Sequence, residues 1–191
     1  MSDSLTERLN EILPVITTSE FLSGKGLGNE IPFYIFDYPP EEELRVREHI
    51  EFLLAHIPKH RPGLKVRNVN LFDLILSYLE ERNLLRRSFQ MQQEKGDEAL
   101  HKALQSPLKP EKLVELFVDS VSPQEHDLVI LSGVGSAWPL VRSHTLLNNL
   151  QTVMDRTPLV MFYPGRYDGQ TLRLFGKIKS NHYYRAFRLV P

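Results

Sequence analysis

Three short apolar runs set the limits on what this chain can fold into. They are IPFYIFDY (31–38), the HDLVILS that opens HDLVILSGVGS (126–136), and TPLVMFYPG (157–165). Each is strand-length, rich in β-branched and aromatic residues, and nearly unbroken by polar side chains, as in strands covered on both faces. Helical periodicity fills the spaces between them. Val46, Ile50, Leu53, Leu54 and Ile57 predict a helix over 41–57, closed by Pro58 and by Pro62-Gly63. LKVRNVNLFDL (64–74) reads as a strand running directly into a helix, and PEKLVELFVDSV (110–121) as a helix with proline in its first turn. A helix over 139–155 and a last strand over 182–190 complete the alternation. The sum predicts one α/β domain over residues 1–191, a mainly parallel sheet with helices on both faces. Residues 1–22 form an N-terminal helical segment, whose helix of Leu5, Leu9, Ile12 and Leu13 Pro14 is expected to close, and the polar stretch 83–105 an exposed helical insertion.

Composition narrows the chemistry. The chain has 191 residues and no cysteine, which excludes disulfides, thiolate metal sites and a cysteine nucleophile. No apolar run reaches the roughly 18–20 residues of a membrane span, and the N-terminus lacks the basic start and apolar middle of a signal peptide, so a cytoplasmic protein without membrane contact is expected. Net charge is −1 but polarised: residues 1–60 hold 11 acids against 5 bases, residues 61–191 hold 13 against 18. In 165–191, Arg166, Arg173, Lys177, Lys179, Arg185 and Arg188 face only Asp168. Such a dipole suits one end to a charged partner.

Parallel sheets bind ligands beyond the carboxyl ends of their strands, and a phosphate needs a glycine-rich turn there. After the first strand the sequence reads DYPPEEELRVR, where two prolines remove N–H donors and three glutamates repel anions. Ser23-Gly24-Lys25-Gly26-Leu27-Gly28 precedes a strand instead of linking strand to helix, and reads as a surface turn. Ser132-Gly133-Val134-Gly135-Ser136 stands where a ligand would sit, but has no lysine, and Trp138 and Pro139 replace the third glycine. A tight turn that needs small residues explains it as well.

Catalytic constellations are weak. Ser132 and Ser136 flank the glycines in the wrong order for a nucleophile elbow. His144 borders the apolar stripe of Leu140, Leu147, Leu150 and Met154 and reads as structural. His56 and His60 have i,i+4 spacing, but Pro58 between them breaks the helical face and no Glu or Cys completes a metal site. Asp37 ends the first strand, where it either binds a cation or caps the next helix. We therefore expect no catalytic residue, no cofactor and no metal.

Interaction chemistry is better represented. The outer side of helix 139–155 carries Arg142, Thr145, Asn148, Asn149 and Thr152, directional hydrogen-bonding groups where solvated helices carry Lys and Glu. Arg166, Tyr167 and Asp168 are placed in the turn after the strand at 158–163. Tyr183, Tyr184, Arg185, Phe187 and Arg188 mix aromatics with arginine, as interfaces and single-strand binders do. Alternation in a strand sends half of that set to the core.

GLGNEIPFYIFDYPPEEELRVREHI, LVILSGVGSAWPLVRSHTLLNNLQ, PLVMFYPGRYDGQTLRLFG and YYRAFRLV together resemble the BrxB family of the bacteriophage exclusion (BREX) defence systems, from about residue 24 to 190 and most weakly in 83–125. The resemblance implies a role in phage defence, beside a DNA methyltransferase, a large ATPase and the alkaline-phosphatase-like protein PglZ, with PglZ the expected partner and no catalytic residues to carry over. The predicted sheet order also resembles a P-loop NTPase-like core without the phosphate-binding loop, an analogy of fold alone. The leading expectation is a non-enzymatic adaptor. Its rivals, neither of them favoured, are a nucleotide-dependent enzyme built on Asp37, Gly133, Gly135 and Arg166, and a nucleic-acid contact through the basic C-terminal residues.

Overall fold

The computed structural model describes residues 4–24, 32–179 and 186–191. Its apolar runs are the strands β1 (Phe33–Tyr38), β3 (Leu128–Ser132) and β4 (Leu159–Tyr167), with β2 at Val66–Asn70 and β7 at Phe187–Arg188. These five pair in parallel in the order β2-β3-β4-β1-β7. Two further strands, β5 (Leu172–Leu174) and β6 (Ile178–Lys179), extend the end of β4 as an antiparallel ribbon.

Helices cover both faces, as the alternation predicts. On one face α1 (Ser4–Ile16), α2 (Ser19–Ser23) and α3 (Glu43–His60) pack on Phe36, Leu128, Ile130, Val160 and Phe162. On the other, α4 (Leu71–Glu81), α6 (Pro110–Val121), α7 (Val134–Ala137) and α8 (Ser143–Met154) pack on Phe33, Ile35, Val129, Leu131 and Met161. Handedness accounts for the division. The chain runs from β1 outward to the edge strand β2 through α3, then returns β2-β3-β4; right-handed crossovers in opposite directions place their helices on opposite faces. The direction reverses at the β1–β4 pair, so a crevice opens between the carboxyl ends of these strands.

Several boundaries differ from the sequence reading. Pro14 does not close α1, nor Pro58 α3; each lies inside its helix, two residues from the end. A proline in the last turn removes only one i→i−4 hydrogen bond, and the helix runs on past it. His56 and His60 therefore do share a continuous helix, but each directs Nδ1 toward a backbone oxygen one turn back, at 2.8 and 3.1 Å. The stretch 83–105 is helical as expected: α5 (Leu85–Leu104) is polar and largely exposed, and breaks at Gly96, whose φ is 79°.

The larger correction concerns 139–155. The helix does not begin at Pro139. The short α7 stops at Ala137, Trp138 is extended (φ −75°, ψ 138°), and α8 starts only at Ser143. A residue before proline is pushed out of the helical region, and this overrides the preference of proline for a first turn. β4 is also longer than predicted, so Arg166 and Tyr167 belong to the strand and only Asp168 to the turn. Of the C-terminal aromatic and basic group, Tyr183, Tyr184 and Arg185 lie outside the described residues, as do Lys25, Gly26, Leu27 and Gly28 of the glycine-rich segment.

Candidate functional site

The crevice at the β1–β4 carboxyl edge is a cleft of about 320 Å³ lined by Arg8, Asp37, Tyr38, Pro39, Pro40, Glu41, Gly165, Arg166 and Gly176. It lies where a sheet of this kind would hold a ligand, and most of its polar groups are already engaged. Asp37 is 8% exposed. Its Oδ1 accepts from Arg8 Nη2 at 2.9 Å and its Oδ2 from the Tyr167 backbone N–H at 2.9 Å. Arg8 in turn donates to the Asp37 and Pro191 carbonyls at 2.8 and 3.0 Å and lies 4.7 Å from the Phe36 ring centroid. One buried carboxylate thus fastens α1 and the end of β4 to β1. The alternatives left open for Asp37, cation ligand or helix cap, give way to this third role.

Tyr167 is buried, against its expected place in an accessible turn. Its hydroxyl lies 2.6 Å from the Ala186 carbonyl and 3.0 Å from that of Gly169, and its own carbonyl accepts from Arg188. Two proposed contact residues, Tyr167 and Arg188, therefore join β4 to the last strand; Tyr167 is buried and Arg188 exposed. Their pairing across 21 residues follows from the sheet order and has no signature in local spacing.

Asp168 is exposed, and its carboxylate closes the hairpin turn through Thr171 N–H (2.6 Å), Gln170 N–H (2.9 Å) and Thr171 Oγ1 (2.8 Å). The Thr171 backbone N–H, then its hydroxyl, then the Gln170 N–H hold its pKa down at about 2, from 3.8. A lowered carboxylate pKa favours the folded state above the unfolded value, and that contribution is lost as pH falls from about 4 through about 2. Carboxyl NMR titration should place the Asp168 midpoint near 2, and Thr171→Val should move it up toward 3.8; a wild-type midpoint at 3.8 would contradict the turn geometry.

Beside the cleft, Tyr38 donates to Glu43 Oε2 at 2.6 Å, and Glu43 Oε1 accepts from Arg47 Nε at 2.8 Å. Burial, then the hydrogen bond and charge of Glu43, push the Tyr38 hydroxyl far above the ordinary tyrosine value. Glu43, at the start of α3 as its charge suits, thus also anchors the strand before it. Nothing in the spacing marks Glu43 apart from Glu41 and Glu42.

The glycines after β3 are explained by packing. Gly133 has φ 71°, and a Cβ there would lie 1.9 Å from Asn70 Oδ1. That oxygen caps α4 by accepting from the Phe72 and Asp73 N–H groups at 3.0 and 3.3 Å. A Cβ on Gly135 would lie 2.8 Å from the Pro164 ring and 3.1 Å from Phe175. Both glycines admit neighbouring side chains of the protein itself.

The recognition face is rearranged. Arg142 precedes α8 in extended conformation and is exposed, so it is not on the helical face. Asn148 and Thr152 are exposed and Thr145 and Asn149 half-buried. Asn149 donates to the Thr145 carbonyl at 2.6 Å and Thr152 to the Asn149 carbonyl at 2.9 Å, while Asn148 and Arg142 are exposed. The side chain of His144 lies outside the described residues. Among the described residues no helix is long and apolar enough to cross a membrane, and no group of three His, Asp or Glu residues is placed to hold a metal ion.

Residues 67–189 match the family described as BREX protein BrxB. The chain is 47% identical over 190 residues to a protein of Bacillus cereus (strain H3081.97) named BREX protein BrxB, covering 97% of each. It is 46% identical over 192 residues to a protein of the same name from Escherichia coli O9:H4 (strain HS), covering 100% of this chain and 94% of the relative. No solved structure matches. Family model and near full-length identity agree with the resemblance seen in the strand and helix blocks: the chain belongs to the BrxB family of BREX proteins.

Proposed function

We propose that the protein is a non-enzymatic adaptor of a BREX anti-phage defence system that docks its PglZ-type protein. The observation that carries this reading is the state of the β1–β4 crevice. Both oxygens of Asp37 are hydrogen-bonded within the protein, Pro39 and Pro40 offer no N–H donors, and the space at Gly133 and Gly135 is filled from within. The strand order, with β1 between β4 and β7, supports the analogy with a P-loop NTPase-like core that has lost its phosphate loop. Membership in a family of BREX proteins supports the defence role and other subunits of the system as partners.

The docking surface in this reading is Arg142 and the outer side of α8, Asn148 foremost. Both are exposed, and neither side chain is in an ion pair or hydrogen bond among the described residues. Tagged protein expressed with the whole operon is expected to recover the PglZ-type protein. The Arg142→Glu/Asn148→Arg double variant should reduce that recovery at least about 10-fold, the scale of one to two kcal/mol for a central contact. Undiminished recovery would remove α8 as the interface, and absence of PglZ from the wild-type eluate would remove the adaptor reading.

A further inference from the structure

The ribbon formed by β4, β5 and β6 carries a row of basic positions. Arg166 stands opposite Arg173 in the β4–β5 register, and Arg173 opposite Lys179 in the β5–β6 register. Directly opposed residues of an antiparallel pair share one face, so three basic positions line up across three strands. Like charges so placed repel and weaken a sheet, and no acidic position interrupts the row. Arg166 and Arg173 are exposed, and neither is in an ion pair among the described residues. Strands lie about 4.8 Å apart, so the three basic positions are evenly spaced along about 10 Å of backbone. At the end of the same ribbon Trp138 is 41% exposed and meets Phe175 edge-on, with ring centroids 6.2 Å apart. An exposed indole against the end of a ribbon that carries two opposed arginines combines the two features by which proteins hold unpaired nucleic-acid strands, base stacking and a cationic path for phosphates.

We infer that this ribbon binds the phosphate backbone of single-stranded nucleic acid, with Trp138 as a stacking platform. None of these residues lies in α8 or is Arg142, and the inference stands or falls independently of docking to a PglZ-type protein.

The test is fluorescence anisotropy with labelled single-stranded and duplex DNA of one sequence, from 50 to 300 mM salt. Three phosphate contacts predict a log Kd against log salt slope of about 2 for the single strand. Arg166→Gln/Arg173→Gln should lower that slope by about 1.4 and weaken binding at least about 10-fold at 50 mM salt. Arg166→Lys/Arg173→Lys should keep the slope, and Trp138→Ala should weaken single-strand binding alone. Circular dichroism confirms folding of each variant, and the glutamine variant should still recover the PglZ-type protein. The inference is overturned if wild type does not bind at 50 mM salt, if duplex binds more tightly, if the glutamine variant binds like wild type, or if polyglutamate of equal charge displaces the DNA as well as unlabelled single strand does.

Discussion

Asp37→Ala should destabilise the protein by about 3 kcal/mol, because it leaves Arg8 and the Tyr167 N–H without their buried acceptor. The side chains of Arg8 and Asp37 are 21% and 11% exposed, so the loss should fall toward the lower end of the range for breaking a buried pair. For a chain of this size the melting temperature should drop by roughly 6–12 °C. Asp37→Asn keeps the shape but loses the charge on which Arg8 depends, and should fall between wild type and alanine. Arg8→Met, paired with Asp37→Ala, provides the cycle: two changes to one interaction should cost less together than their sum. The same protein separates the rival enzyme reading. Calorimetry with ATP or GTP and Mg²⁺ should give no heat of binding, whereas heat that disappears in Asp37→Ala would mean that Asp37 serves a ligand and not the fold.

Gly133→Ala should be costly for a different reason. A left-handed backbone costs a non-glycine residue roughly 1–2 kcal/mol. The new Cβ would also drive into Asn70 Oδ1, 1.9 Å away, and displace the cap of α4, a further loss of about 1 kcal/mol. A total of about 2–3 kcal/mol is expected by chemical denaturation. In the Asn70→Gly background the side-chain clash is gone, leaving backbone strain and a 3.2 Å approach to the Leu71 backbone nitrogen, so Gly133→Ala should there cost less by about 1 kcal/mol. Equal costs in both backgrounds would show that the glycine is needed for its torsion alone. A loss of partner or ligand binding without loss of stability would instead mean that the turn meets another molecule.

The strands were legible because apolar runs such as LVILS and LVMFY have no other stable home than a sheet covered on both sides. The helical nature of 83–105 and the start of α6 at Pro110 were legible from local chemistry alone. What escaped depended on partners distant in sequence. Arg8 reads as one cation among the acids of an N-terminal helix, and only the sheet brings it to Asp37. Tyr167 looks like an aromatic beside a turn, and its burial follows from an antiparallel extension of β4 that two-residue and three-residue strands barely announce. Arg142 was misplaced because one proline gives two contrary local signals. It favours a first turn after it and extended backbone before it, and here the second prevailed.

The position of β1 also bears on how the protein is made. Phe33, Ile35 and Phe36 leave the ribosome early, yet β1 pairs with residues 159–164 and 187–188, the last third of the sequence. Until those residues emerge, the most apolar strand of the N-terminal half has no neighbour to cover its edges. Exposed strand edges of this kind recruit chaperones or aggregate. Premature termination before residue 159 should therefore give an insoluble product, and slow translation late in the message should penalise yield more than slow translation early.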